Sequence, residues 1–269
     1  MAVAVRSTST LTFNAGRTNS TFTAPAGIVN GDILLIVMNI GDATGLPPLT
    51  ATPPAGFTEA PGSPSPRATA DPYTISIRVY WKKAASESGS YTVSHTAAGT
   101  EGVLYCLSGA DGTAPLTPAP TFLTDGNPGV ANGQTTTATG LTTPAAGCLV
   151  IMSEALYDDT QVGGTPMVPP TGTTPTFTER YKGTIMYLSD GVMASAGATG
   201  NKSHTNGNNG AGAPWVSTLI CVQVPTAATP KTQVKVAGVW KPATTFVKVA
   251  GVWKPASPFV KVAGVWKPL

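Results

Sequence analysis

The chain has 269 residues, 41% of them hydrophobic but only 11% charged, enough for one large core or two modest ones and too few charges to solvate amphipathic helices. Thr, Ser, Gly, Pro and Ala fill the places of Lys and Glu, which predicts an all-β, turn-rich protein. The net charge of +3 divides unevenly: residues 1–230 carry nine Lys/Arg against thirteen Asp/Glu, and residues 231–269 carry seven Lys and no acid.

Taken from the N-terminus, Met-Ala-Val-Ala-Val-Arg-Ser-Thr offers no apolar signal region, so a cytoplasmic site of synthesis is expected. Ile33 to Met38 is the longest apolar run. It is far too short to span a bilayer, and no membrane insertion is expected. Together with Cys148 to Met152 and Leu219 to Val222, it reads as a strand covered on both faces. A two-layer sandwich leaves the outer face of such a strand bare, so the runs point to subunit contacts or to cover from the linker and tail. Thr74 to Lys82 alternates instead. Ile75, Ile77, Val79 and Trp81 point into a core, while Ser76, Arg78, Tyr80 and Lys82 face nearer to solvent. Tyr91, Val93 and His95 repeat the pattern. Residues 110–134, opening Ala-Asp-Gly-Thr-Ala-Pro, read as a loop crossing between sheets. Cys106, Cys148 and Cys221 lie in apolar runs without CxxC spacing, which predicts buried thiols and neither a disulfide framework nor a zinc site.

The two halves of residues 10–225 match in order. Gly31-Asp-Ile-Leu-Leu-Ile-Val answers to Gly147-Cys-Leu-Val-Ile-Met, and Phe57-Thr-Glu59 to Phe177-Thr-Glu179. Ser94-His95-Thr96 answers to Ser203-His204-Thr205, and Val103-Leu-Tyr-Cys106 to Thr218-Leu-Ile-Cys221. The fold class predicted is therefore a duplicated, jelly-roll-like β-sandwich over residues 1–228, its halves near 10–110 and 130–225, preferred over two tandem small sandwiches because no long linker separates the halves. A Pro/Thr-rich linker at 225–230 follows. Residues 229–269 then hold three copies of Val-Lys-Val-Ala-Gly-Val-Trp-Lys-Pro at a period of 13, marked by Trp240, Trp253 and Trp266. Each copy reads as a β-hairpin around a glycine-containing turn. That register sets Lys235 opposite Trp240, Lys248 opposite Trp253 and Lys261 opposite Trp266, close enough for cation–π contact. These six residues are the candidate assembly or glycan contacts: the core of a small β-prism, or a stacking platform for a sugar. The tail lysines recur with the repeat, as guards against edge pairing do, so no nucleic acid partner is expected.

No catalytic, cofactor-binding or metal site is expected. The only histidines, His95 and His204, fall at equivalent corners and have no acidic or cysteine partner at ligand spacing. Glu154, Asp158 and Asp159 share neither calcium-loop nor glycosidase spacing and read as a solvated loop. Gly197-Ala-Thr-Gly-Asn-Lys202-Ser203 has Asn201 where a phosphate-binding loop needs glycine, and no helix pattern follows. Gly207 to Gly212 reads as a turn.

The succession Pro-Ala-Gly, Gly-Asp-Ile-Leu-Leu, Pro-Ala-Gly-Phe-Thr, Tyr-Trp-Lys, Ser-Tyr-Thr-Val-Ser and Leu107-Ser-Gly-Ala-Asp111 resembles a β-sandwich module of tailed-bacteriophage structural proteins. The tail copies resemble the repeats that end many phage minor tail proteins. The resemblance implies a non-enzymatic virion component without cofactors, a minor tail protein located in the tail. The alternatives are a capsid decoration or head-fibre protein and a carbohydrate-binding adhesin. Expected partners are the chain itself as a homotrimer, other virion proteins and a host-surface glycan. No glycine-x-y or coiled-coil shaft is present, so no long fibre stalk is expected.

Overall fold

From Ile33 to Ile40 every side chain is fully buried, and the two faces of this strand lie in different cores. The computed structural model describes residues 2–42, 49–65, 68–70, 73–125, 135–156, 174–205 and 215–225, with the strand backbones of the tail. No helix occurs among the described residues, and the protein is all-β. It divides into a unit from Met1 to Pro225 and a second from Thr226 to Leu269.

In the first unit the strands run β1 (Ala4–Thr23), β2 (Ile33–Asp42), β3 (Ala51–Thr52), β4 (Thr58–Glu59), β5 (Ala68–Ala70), β6 (Tyr73–Lys83), β7 (Ser90–Ser108), β8 (Thr121–Asp125), β9 (Thr135–Ala138), β10 (Thr142–Thr143), β11 (Leu149–Leu156), β12 (Thr178–Lys182), β13 (Met186–Val192), β14 (Gly197–Ala198), β15 (Lys202–Thr205) and β16 (Trp215–Val222). One sheet has the order β1-β7-β2-β6-β4, with β3 on β7 and β5 on β6; the other has the order β12-β13-β11-β16-β8. Read from β8, the second sheet repeats the order of the first. The segments matched by sequence sit at corresponding places: Phe57 and Phe177 lead into β4 and β12, while Cys106 and Cys221 lie in β7 and β16. Each sheet is drawn from its own half of the chain, whereas a jelly roll shares its strands between sheets through Greek-key crossings.

The central core lies between the two sheets. Ile33, Leu35 and Val37 of β2, Ile75, Ile77 and Val79 of β6, and Val103 and Tyr105 of β7 pack with Ile151, Leu188 and Ile220 of the second sheet. Alternation in β6 predicted this inner face correctly. The opposite face was expected nearer solvent. Instead Ser76, Arg78 and Tyr80 are buried, because the chain folds over itself. β1 and β7 are paired along almost their whole lengths, from Ala4 opposite Ser108 to Thr23 opposite Ser90, through register shifts between Leu11 and Asn19. Bulges bend a strand and sharpen its twist. Beyond them the ribbon closes over the outer face, where Phe22, Tyr91, Val93 and Leu49 join Leu34, Ile36, Met38 and Ile40 in a second core.

The outer cover of β2 is thus supplied by this chain's own ribbon. The second half has a corresponding device. β9 pairs β15 and β10 pairs β14, and Ser217 of β16 donates to the Thr137 carbonyl of β9 at 2.6 Å. Residues 110–134 were expected to be loop throughout. The described part contains β8, because Thr121 to Asp125 completes the free side of β16.

In the second unit, β17 (Gln233–Val236) pairs β18 (Val239–Pro242), β19 (Phe246–Val249) pairs β20 (Val252–Pro255), and β21 (Phe259–Val262) pairs β22 (Val265–Pro268), all antiparallel. Lys235 stands opposite Trp240, Lys248 opposite Trp253 and Lys261 opposite Trp266. The side chains of these six residues lie outside the described residues.

Candidate functional site

β6 carries the groups that shape two clefts of the body. On its outer face, Ser76 pairs across to Ile40 and Arg78 to Met38. Alongside runs the segment after β4, held by Ala60 N–H to Val79 O at 2.8 Å and Ser65 N–H to Ile77 O at 3.0 Å. Its hydroxyls serve the same edge: Ser65 Oγ accepts from the Ile77 amide at 2.9 Å, and Ser63 Oγ accepts from the Val79 amide at 3.0 Å. Arg78 is 7% exposed. Its Nη1 donates to Glu59 Oε1 at 3.2 Å, to which Ser63 Oγ also donates at 2.9 Å, and its Nη2 donates to the Leu49 carbonyl. Its Nε, Ser76 Oγ and the Tyr80 hydroxyl have no hydrogen-bond partner. Burial pushes the Tyr80 phenol up to about 12 against the nearby Arg78 charge. Leu49, Thr50, Ala51, Pro64, Ser65, Ser76 and Arg78 enclose a cleft of about 330 Å³.

A second cleft of about 240 Å³ lies on the other side of Glu59, between half-buried Trp81 and the loop Thr113–Thr117. This loop is fixed. Asp111 Oδ1 accepts from the Thr113 and Ala114 amides at 2.7 and 2.9 Å, and Gln223 Nε2 donates to Ala114 O at 2.6 Å. Farther along β6, Lys82 pairs with Glu87 at 2.9 Å and sits over the rings of Phe57 and Tyr91. Those rings meet edge to face with centroids 5.2 Å apart.

His95 belongs to the ribbon. Its Nδ1 lies 2.7 Å from the Thr96 carbonyl, which can only accept, so Nδ1 carries the proton. Nε2 then accepts from Ser20 Oγ at 2.8 Å, and Thr100 Oγ1 donates to Ser20 Oγ at 2.7 Å. Burial holds the imidazole below its ordinary pKa, against the opposing effect of the Thr96 carbonyl. A Ser–His contact is also the geometry of an activated nucleophile. Here Ser20 is fully buried and the imidazole is oriented by a carbonyl, so the pair ties the bent ribbon together. The His204 side chain lies outside the described residues, as do Asp158, Asp159 and Gly207 to Gly212; the backbone of His204 pairs with Thr136.

Glu154 was expected on a solvated loop. It is fully buried within β11, because both neighbouring strands pair along its length. Gly197 to Ser203 runs through β14 and β15, with Lys202 buried, and forms no phosphate-binding turn. Among the described residues no three His, Cys, Asp or Glu side chains gather as a metal site, and no helix is long and apolar enough to cross a membrane. The three cysteines are buried and free.

The sequence reading missed the Arg78 cleft. Its one available signal was an arginine and a serine at alternate positions of a strand whose cover comes from far away in the chain. The chain matches no protein-family model, no curated protein and no solved structure.

Proposed function

We propose that this chain is a non-enzymatic structural protein of a tailed-bacteriophage virion, a minor tail protein that assembles through its repeats. The observation that carries the reading is the tail: three two-stranded units with one register, each setting a Lys opposite a Trp. Two strands alone bury too little apolar surface to be stable in water, so the units gain stability by packing on one another or on the same units of other chains. Closed symmetric assembly is the usual outcome of such self-complementary contacts, and a homotrimer is our reading. Trp240, Trp253 and Trp266, with Lys235, Lys248 and Lys261, are then the assembly contacts, and other virion proteins are the neighbours.

Host-surface glycan contact is a second role, favoured by the cleft beside Trp81. An indole face with a carboxylate and threonine hydroxyls around it suits a sugar ring. The experiment is immunogold labelling of intact particles with an antibody against residues 231–269. Gold at the tail supports the proposal. Gold over the head replaces it with a capsid decoration or head-fibre protein. Particles that lack the chain even after denaturation overturn the virion reading.

A further inference from the structure

We infer that the cleft between Trp81 and the loop Thr113–Thr117 binds one neutral hexopyranose ring of a glycan. This site rests on the glycan role proposed above and adds to it the class of sugar. Trp81 packs against the central core and lines the cleft with the part that stays exposed, so its ring is held in place before any ligand arrives. Among the described residues its Nε1–H has no acceptor, and it is not one of the sealed polar atoms. It stands open as a donor. Glu59 supplies an acceptor. Its Oε1 is taken by Arg78 and Ser63, while Oε2 has no partner among the described residues and the side chain is 29% exposed. Thr113 and Thr117 are exposed along the loop, and buried Leu116 between them adds apolar surface.

Together these groups select the ligand. The indole and Leu116 call for an apolar face. A hydroxyl both donates and accepts, so two neighbouring hydroxyls serve the indole N–H and the carboxylate at once. A pyranose carries both features, C–H groups on its face and hydroxyls around its edge. Its charge should be zero. Arg78 already neutralises Glu59 at 3.2 Å, so a cationic sugar gains little, and an anionic one would meet the carboxylate. Among the described residues Trp81 is the single aromatic side chain lining the cleft, too few for a cage around a quaternary ammonium. The volume of about 240 Å³ lies below the usual range of drug-sized sites, which limits the occupant to one ring. Hydrogen bonds with Asp111 and Gln223 fix the loop wall in advance, which lowers the ordering cost of binding.

The test is saturation-transfer NMR on the full chain with the methyl glycosides of glucose, galactose and mannose, beside glucosamine, glucuronate, choline and a tetraproline peptide. Binding of the same chain to a microbial glycan array is read in parallel. Expected is millimolar binding of at least one methyl hexoside, with the strongest transfer at its ring C–H protons, and weaker binding of every other probe. Loss of one neutral hydrogen bond in Trp81→Phe should weaken binding about three- to tenfold. Ala114→Tyr, which adds a ring at the loop wall, should abolish it, with the urea midpoint showing each variant still folded. Preferred binding of a charged probe would overturn the neutral-ligand argument, and preferred binding of the peptide would overturn the sugar assignment. No transfer, or transfer unchanged in both variants, would overturn the site. Array binding that survives in Ala114→Tyr would likewise overturn the site yet leave the glycan role to the repeats, whereas no array binding by the full chain would overturn the glycan role itself.

Discussion

The carboxylate of Glu101 on β7 lies so close to Gly183 in the β12–β13 turn that a Cβ at position 183 would have to displace it. The carboxylate, 1% exposed, accepts from the Thr184 amide at 2.9 Å, the Ile185 amide at 2.7 Å and the Tyr181 hydroxyl at 2.8 Å. A buried anion is tolerable when surrounded by donors in this way. The contact joins the two sheets at one end of the central core, with Asn39 Nδ2 donating to Ile185 O at 3.3 Å nearby.

Gly183→Ala should therefore displace the Glu101 carboxylate and destabilise the body by about 1–3 kcal/mol, the usual penalty of overpacking. Glu101→Gln turns an amide NH₂ toward one of the donors and should cost a similar amount, about 1–3 kcal/mol. Urea unfolding of both variants checks this. Unchanged midpoints would mean the turn relaxes freely and the clamp contributes nothing.

The folded-over ribbon should be equally measurable. Phe22 is fully buried against the outer face of β2, and Phe22→Ala should lower stability by about 3–5 kcal/mol. The loss should not depend on protein concentration, since the cover comes from the same chain. A concentration-dependent loss in equilibrium unfolding would show that a partner supplies part of this core.

Much of this architecture is legible in the sequence, and the exceptions share a cause. Ile75, Ile77 and Val79 read as an inner face by alternation alone, and Phe57 and Phe177, matched by sequence, lead into the end strands β4 and β12 of the two sheets. The outer face of β6 misled because alternation reports polarity and not burial. Ser76 and Arg78 are polar, yet Leu49 to Ala51 and Pro64 to Ser65 close around them, beside the ribbon of residues 14–23 and 90–98 that covers Tyr80. That ribbon was hidden because Asn14-Ala-Gly16 and Ala97-Ala-Gly99 look like turns, whereas they are bends within two long paired strands; Gly16, at φ 69°, provides the backbone freedom for one of them. Glu101 gave no signal either, because two of its partners are backbone amides more than 80 residues away.

Acid should destabilise the body in two stages. His95 has a lowered pKa in the folded state, so the unfolded chain binds more protons as pH falls below the ordinary imidazole value of about 6.5. Its contribution is present above that pH and lost below it. For Asp32, burial raises the pKa, but the Arg6 guanidinium, the Val29 amide and the Cys106 thiol together hold it below the ordinary value. Its contribution is lost later, as pH falls below about 4. His95→Asn should flatten the urea midpoint between neutral pH and pH 5 while leaving the lower decline. A slope unchanged by the substitution would contradict the assignment.

All three thiols should resist Ellman's reagent in the native protein at pH 8 and react once it is unfolded in guanidinium. Burial, with Asp32 beside it, pushes Cys106 up to about 11, and burial raises Cys221 further. Thiols that stay protonated are poor nucleophiles. Rapid native labelling of any of them would mean that the body opens locally.

With both apolar faces of Ile33 to Ile40 covered within one chain, the case for assembly rests on the repeats. Multi-angle light scattering of the full chain, compared with the same chain ending at Pro225, tests this most directly. The account predicts a discrete symmetric oligomer, a trimer, for the full chain and a folded monomer for the shortened one. A full-length chain that stays a monodisperse monomer with its repeat strands formed would contradict it.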